Sequence, residues 1–181
     1  MDLNEKTIDR TVIYNGKIVD VEIHTVTLPN GETSTRELVY HNGAVAVCAV
    51  TPKKEVVLVK QYRKPVEKPL LEIPAGKLED DDEDRVEAAK RELEEETGYI
   101  AKELTHVVDM YGSPGFCDEQ LSIYFTDNLE EGTVHLDEDE FVEVIKVPIE
   151  NVKSMLMNKE IEDAKTIIAL QHLLLNYNHS K

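Results

Sequence analysis

Arg91-Glu92-Leu93-Glu94-Glu95-Glu96-Thr97-Gly98-Tyr99, preceded by Gly76-Lys77-Leu78-Glu79-Asp80-Asp81-Asp82-Glu83, is the stretch on which the reading of this chain turns. From Glu83 to Thr97 the residues predict a helix. Val86, Ala89 and Leu93 recur at helical spacing and make one apolar stripe, and Gly98 supplies the stop. Glu92, Glu95 and Glu96 flank that stripe at separations of three and four, so their carboxylates are expected to converge on one face. They crowd the C-terminal end of the helix, where the backbone dipole disfavours negative charge, and no lysine in the last turn offsets them. A plain solvated acidic face explains this poorly; such local conflict is best tolerated at a functional site. A divalent cation resolves it, because carboxylate oxygens suit hard ions such as Mg²⁺ or Mn²⁺, which in turn bind phosphates. The stretch alone predicts metal-dependent phosphate chemistry.

Working outward, composition narrows the class. The chain has 181 residues, enough for one domain with a small appendage and a sizeable core. Its 37 acidic and 20 basic residues leave a formal charge of −17, which argues against nucleic acid or an anionic membrane as partner. No apolar run approaches the ~20 residues of a membrane span, and the polar start lacks a signal sequence, so the cytoplasm is the expected compartment. Cys48 and Cys117 have no metal-ligand spacing and suggest no disulfide framework. The six histidines show no metal-site spacing, and no serine or cysteine sits in a nucleophile-elbow context.

Strands are expected at 10–14, 17–28 and 34–41, rich in Val, Ile, Thr and Tyr and separated by Asn15-Gly16 and Pro29-Asn30-Gly31, which are turn chemistry. Ala44–Val50 and Glu55–Tyr62 are almost continuously apolar and read as central strands covered on both faces. Further strands are expected at 103–111, 121–126 and 141–147, and helices at 149–158 and 164–176. No internal repeat or long linker interrupts this order. Helices between and after mixed strands predict an α+β fold in which helices sandwich a sheet.

The quoted stretch resembles the Nudix box, G-x5-E-x7-R-E-U-x-E-E-x-G-U, where U is bulky and aliphatic. Glu83, Arg91, Glu92, Leu93, Glu95, Glu96 and Gly98 match in type and spacing. The chain departs from the pattern twice. Six residues separate Gly76 from Glu83, so either Glu83 or Asp82 fills the first glutamate position, and Tyr99 stands where an aliphatic residue is usual. Leu71-Glu72-Ile73-Pro74-Ala75-Gly76-Lys77, Lys60-Gln61-Tyr62-Arg63 and Tyr111-Gly112-Ser113-Pro114-Gly115-Phe116 resemble motifs of the ADP-ribose pyrophosphatase branch of that family, with Pro114 sixteen residues past Gly98.

The resemblance implies a Nudix α/β/α sandwich with a mixed sheet over 43–181, plus an N-terminal antiparallel β-sheet subdomain over 1–42 that dimerises by exchanging strands. It implies Mg²⁺ as cofactor, with Mn²⁺ as a possible substitute. The metal would be held by Glu92, Glu96, Glu95, the Ala75 carbonyl and Glu140, with Glu83 and Arg91 as structural support. It places the base in the acidic loop Leu136-Asp137-Glu138-Asp139-Glu140, with Glu138 as proton acceptor and Glu140 on the metal, or the reverse. Substrate would meet Arg63, Lys77, Ser113 and Glu119, together with Arg36 and Glu37 reaching across to a second subunit; Ile18 and Val19 would form an apolar wall for adenine. Guanidinium forks match phosphate oxygens in pairs, which favours Arg63 and Arg36, and Lys60, Lys64 and Lys68 suggest a positive patch around Arg63. The implied reaction is hydrolysis of ADP-ribose to AMP and ribose 5-phosphate. The alternatives are another nucleotide sugar such as GDP-mannose, a non-catalytic ADP-ribose-binding module, and a calcium-binding acidic loop. The last lacks the alternating ligands of an EF-hand.

Overall fold

A computed structural model of the chain describes residues 2–79, 83–136 and 141–176. The chain divides into two compact units, residues 1–43 with 111–120, and residues 44–110 with 121–181. Residues 111–120 therefore group with the N-terminal unit, which the expected subdomain over 1–42 does not include.

In the first unit, β1 (Lys6–Asn15), β2 (Asp20–Thr27) and β3 (Thr33–Tyr40) form an antiparallel sheet in the order β1-β2-β3. Asn15-Gly16 and the Pro29-Asn30-Gly31 segment make the turns, and Gly31 has a φ of +86° that few other residues adopt readily. The inner positions of β2 bury His24 and Val26. Ile8, Val12, Ile13 and Tyr14 of β1 are exposed. The 111–120 segment joins this sheet at its edge: the Val39 N–H donates to the Phe116 carbonyl at 2.7 Å, and Val39 bridges Cys117 in parallel.

The second unit is built on β4 (Ala44–Val50), every residue of which is buried, and β5 (Glu55–Arg63). After a 3₁₀ turn at Lys64–Val66 come β6 (Lys68–Glu72) and β7 (Ala75–Lys77), then helix α1 (Arg85–Thr97). The remaining elements are β8 (Tyr99–Ala101), β9 (Thr105–Tyr111), β10 (Gln120–Thr126), β11 (Leu129–Glu131), β12 (Val142–Pro148), α2 (Ile149–Met157) and α3 (Ala164–Asn176). The seven-stranded sheet runs β12-β5-β4-β10-β9, with β6 on β5 and β7 on β4. It is mixed: β10 is parallel to β4, whereas β12, β6 and β4 are antiparallel to β5.

Period-two alternation along β4 feeds two cores. Ala46, Cys48 and Val50 pack with Leu58, Ile73, Ile123, Val152, Leu170 and Leu173, beneath α2 and α3. Val45, Val47 and Ala49 pack with Leu78, Ala88, Ala89 and Leu93, beneath α1. Helices thus cover both faces, the expected α/β/α sandwich. Each fully buried Val, Leu or Ile adds about 1.5–3 kcal/mol against unfolding. Burial also pushes the Cys48 thiol up to about 12, so it packs as a small hydrophobe. No described helix is long and apolar enough to cross a membrane.

Candidate active site

Helix α1 carries the glutamates, and its two ends are fixed by the residues the sequence provides. Asp84 caps the start, accepting the Val86 and Glu87 N–H groups at 2.9 and 3.1 Å. Gly98 ends it in the left-handed region at φ +72°, its N–H donating to the Glu94 carbonyl at 2.7 Å. The helix begins at Arg85, two residues later than the periodicity suggested, because Asp84 serves as the cap. Glu83 therefore lies outside the helix and turns back onto it.

Arg91 is the hub of the acidic face. Its Nη2 donates to Glu83 at 3.0 Å, and its Nη1 to Glu92 at 2.8 Å and Glu95 at 3.3 Å. Burial works against its charge, but Glu83, Glu92 and Glu95 hold the guanidinium protonated well above its ordinary value. Glu83 also accepts the Glu79 N–H at 2.7 Å; this bond and Arg91 outweigh burial and hold its carboxyl below the usual range. Of the two acids that could occupy the first glutamate position, Glu83 makes the contact with Arg91, and Asp82 lies outside the described residues.

The expected convergence of three glutamates takes a different form. Among the described residues no three acidic, histidine or cysteine side chains make a ready metal cluster. Spacing along a helix makes these carboxylates neighbours, and nearby donors divide them, Arg91 taking Glu92 and Glu95 and the Ala75 N–H taking Glu96. Glu92 and Glu96 both close on the strip Ala75-Gly76 in β7. The Ala75 N–H donates to Glu96 Oε2 at 3.0 Å, and Glu96 is only 3% exposed. A Cβ on Gly76 would stand 1.9 Å from the Glu92 carboxyl carbon, so only glycine lets this carboxylate lie against the backbone. Two carboxylates against one peptide strip offer the oxygen ligands that suit a hard divalent cation.

The segment before the acidic loop leads to the same place. The Gly132 N–H donates to the Gly98 carbonyl at 2.6 Å and the His135 N–H to the Glu95 carbonyl at 3.0 Å. Beyond the loop, β12 returns beside β5, pairing Val142 with Gln61 and Glu143 with Lys60. Leu136, Phe141 and Val142 line a cleft of about 410 Å³ with Lys60, Pro69 and Glu143. Glu138 and Glu140 themselves lie outside the described residues.

Arg63 ends β5, but its fork faces inward. Nε and Nη2 donate to the two oxygens of Glu72 at 2.7 and 2.8 Å. Glu72 also accepts a hydrogen bond from Lys165, and Lys165 lies 3.1 Å from Asp163. Burial would raise the Glu72 carboxyl, but Arg63 and Lys165 prevail and hold it below the usual range. Arg63 is raised by the same hydrogen bond and, more weakly, by Glu96. The lysines expected around it as a positive patch each stand near an acid at the surface: Lys60 by Glu143, Lys64 by Glu67 and Lys68 by Glu162, at 3.9, 2.8 and 2.6 Å. Lys77 is exposed at the end of β7.

Sequence reasoning missed Lys165, Asp163 and Thr166, having treated 164–176 only as an apolar helix. A signal was there: a lysine in the first helical turn sits at the wrong end of the dipole, the same kind of conflict that singled out the glutamates.

The other candidates belong to the N-terminal unit. Arg36 on β3 is clamped by Glu5, with Nε and Nη2 on its two oxygens at 2.8 and 2.5 Å. Glu37 is exposed on the same strand, Ile18 is exposed between β1 and β2, and Val19 beside it is half-buried. Ser113 accepts the Phe116 and Cys117 N–H groups through its carbonyl at 3.1 and 2.9 Å, and Glu119 stands 3.7 Å from His41.

Comparison with known proteins agrees with this fold. A NUDIX domain model matches residues 40–170. The chain is 49% identical to an ADP-ribose pyrophosphatase of Bacillus subtilis (strain 168), covering 96% of this chain and 94% of that one. It is 47% identical to a methanol dehydrogenase activator of Bacillus methanolicus, over 94% and 93% of the two chains. A crystal structure of an ADP compounds hydrolase, 21% identical, superposes with a TM-score of 0.83 over 98% of each chain, which speaks for the fold. With its box helix, its mixed sheet between helices and these relatives, the chain belongs to the Nudix family.

Proposed function

We propose that this protein hydrolyses the diphosphate of ADP-ribose, giving AMP and ribose 5-phosphate, and that it needs Mg²⁺, for which Mn²⁺ can substitute. The observation that carries this reading is the approach of Glu92 and Glu96 to the Ala75-Gly76 strip, supported by 49% identity to an ADP-ribose pyrophosphatase. Glu92 and Glu96 with the Ala75 carbonyl would hold the cation, and Glu95 and Glu140 would complete its surroundings. Once bound, a divalent cation neutralises the diphosphate and makes water more acidic. The protein's own residues do the rest. Arg63 orients the diphosphate, Lys77 binds substrate, Ser113 and Glu119 contact the terminal ribose or its phosphate, and Glu83 with Arg91 keeps the glutamates in place. Glu138 or Glu140 takes the proton of the attacking water, whose oxygen bonds to one phosphorus as the bridging P–O bond breaks.

The exposed apolar residues of β1 support a homodimer with exchanged N-terminal strands, in which Arg36 and Glu37 reach the other copy's site and Ile18 and Val19 form a wall for adenine. Two free thiols support a reducing, cytoplasmic setting. The nearly equal identity to a methanol dehydrogenase activator favours a second reading, in which the protein activates a dehydrogenase.

Incubation with ADP-ribose, ADP-glucose, GDP-mannose or NADH and Mg²⁺ in ¹⁸O-water tests the first reading. ADP-ribose should give the highest kcat/KM, with AMP and ribose 5-phosphate in equal amounts, one of them labelled, and no products in EDTA. Hydrolysis unaffected by EDTA, or ADP-ribose left intact, overturns it. A dehydrogenase assay with and without the protein decides the second.

A further inference from the structure

We propose that Lys165, in the first turn of α3, is a positioning residue for substrate binding, acting through the buried Glu72 on Arg63. The inference rests on the reading of Arg63 as the arginine that meets the diphosphate.

Three observations carry it. First, Glu72 is 1% exposed and is shared: both oxygens take the Arg63 fork, and Oε2 also takes Lys165. Nη1 of Arg63 makes no hydrogen bond among the described residues and remains for a phosphate oxygen. Second, Lys165 stands where its charge is disfavoured twice, at the positive end of a helix and with a side chain only 11% exposed. Third, its neighbour Thr166, fully buried, accepts the Ile73 N–H at 2.8 Å and donates to Asp163 at 2.6 Å. From Ile73 the chain passes Pro74, whose carbonyl accepts the Val47 N–H at 2.9 Å, to Ala75 on Glu96. The start of α3 therefore holds both the anchor of Arg63 and the strip against which Glu92 and Glu96 lie.

Charge gives the expected sign. Arg63 and Lys165 balance Glu72 and Asp163. Removing the lysine leaves one uncompensated negative charge beside the place where a diphosphate must bind, and releases one side of the carboxylate that orients the fork. The loss should fall on binding more than on turnover, since none of these residues touches the reacting phosphorus.

The test is steady-state kinetics of Lys165→Met, Lys165→Arg, Arg63→Gln and the double variant on ADP-ribose, alongside calorimetric binding of imidodiphosphate with Mg²⁺. Lys165→Met should raise KM about tenfold with kcat within about twofold, a loss worth one factor of ten in affinity, and Lys165→Arg should restore KM. In the Arg63→Gln background Lys165→Met should add no further increase, because coupled residues are not additive. Should Lys165→Met lose cooperative melting, Lys165→Gln, which keeps a donor without the charge, carries the same comparison. An unchanged KM, a fall in kcat alone, or a full additional increase in the double variant overturns the proposal. Wild-type protein that binds imidodiphosphate but leaves ADP-ribose intact removes the proposed substrate, and the binding arm then decides Lys165 by itself.

Discussion

Gly76 has a consequence out of proportion to its size. Its missing Cβ is the space into which the Glu92 carboxylate settles, and a methyl group there would meet three carboxyl atoms between 1.9 and 2.3 Å. Gly76→Ala should therefore displace Glu92 and cost at least about tenfold in Mg²⁺ affinity, measured by calorimetry. Gly112→Ala, whose new Cβ meets nothing within 4 Å, should leave metal binding unchanged and stability within the ±0.5 kcal/mol usual for such surface changes. Equal behaviour of the two variants would contradict the role given to the Gly76 strip. Arg91 shows the same economy of placement. One guanidinium between Glu83, Glu92 and Glu95 keeps like charges close together, the latter two near a helix end where the dipole disfavours them.

At the scale of elements, α1 is a short helix whose ends are set by single residues. Asp84→Ala removes the acceptor for two backbone N–H groups and should lower stability by about 1 kcal/mol, read from urea unfolding. An unchanged midpoint would show that the cap contributes nothing. Much of this architecture is legible in sequence, because periodicity and turn residues are local signals. The apolar run of β4, the Asn15-Gly16 turn and the Val86, Ala89, Leu93 stripe each stand in the structure close to where the pattern places them. The short strands β6, β7, β8 and β11 were not legible, for their pairing depends on partners distant in sequence. Lys68–Glu72, for instance, carries a proline and is a strand by virtue of its pairing with Val59–Arg63 of β5. The site divides similarly. Glu92, Glu96 and Gly76 announce themselves by motif and charge conflict. The link from Glu72 to Lys165 joins residues 93 apart and has no local signature beyond one misplaced lysine.

For the whole molecule, charge dominates the response to acid. Glu72, Glu83 and Asp109 all have folded-state carboxyls held below their ordinary values, Asp109 chiefly by Ser122 and His106. A carboxyl lowered on folding binds fewer protons folded than unfolded, so its stabilisation is complete above the unfolded value of about 4 and is lost as pH falls through the folded value. Relief of the −17 charge on acidification works in the opposite direction. The comparison with Glu72→Gln separates them: the Tm advantage of wild type over this variant should be constant from pH 6 to 8 and shrink steadily below about pH 4. An advantage that grew on acidification would contradict the sign. The central claim is that Glu92 and Glu96, closed on the Ala75-Gly76 strip, hold a divalent cation for diphosphate hydrolysis. Titration of Mn²⁺ followed by electron paramagnetic resonance, on wild type and on Glu96→Gln, tests it most directly. Glu96→Gln keeps an acceptor for the Ala75 N–H and should fold with a Tm close to wild type, yet bind Mn²⁺ at least about tenfold more weakly and hydrolyse ADP-ribose at least about a hundredfold more slowly. Equal Mn²⁺ affinity and undiminished turnover in the variant would contradict it.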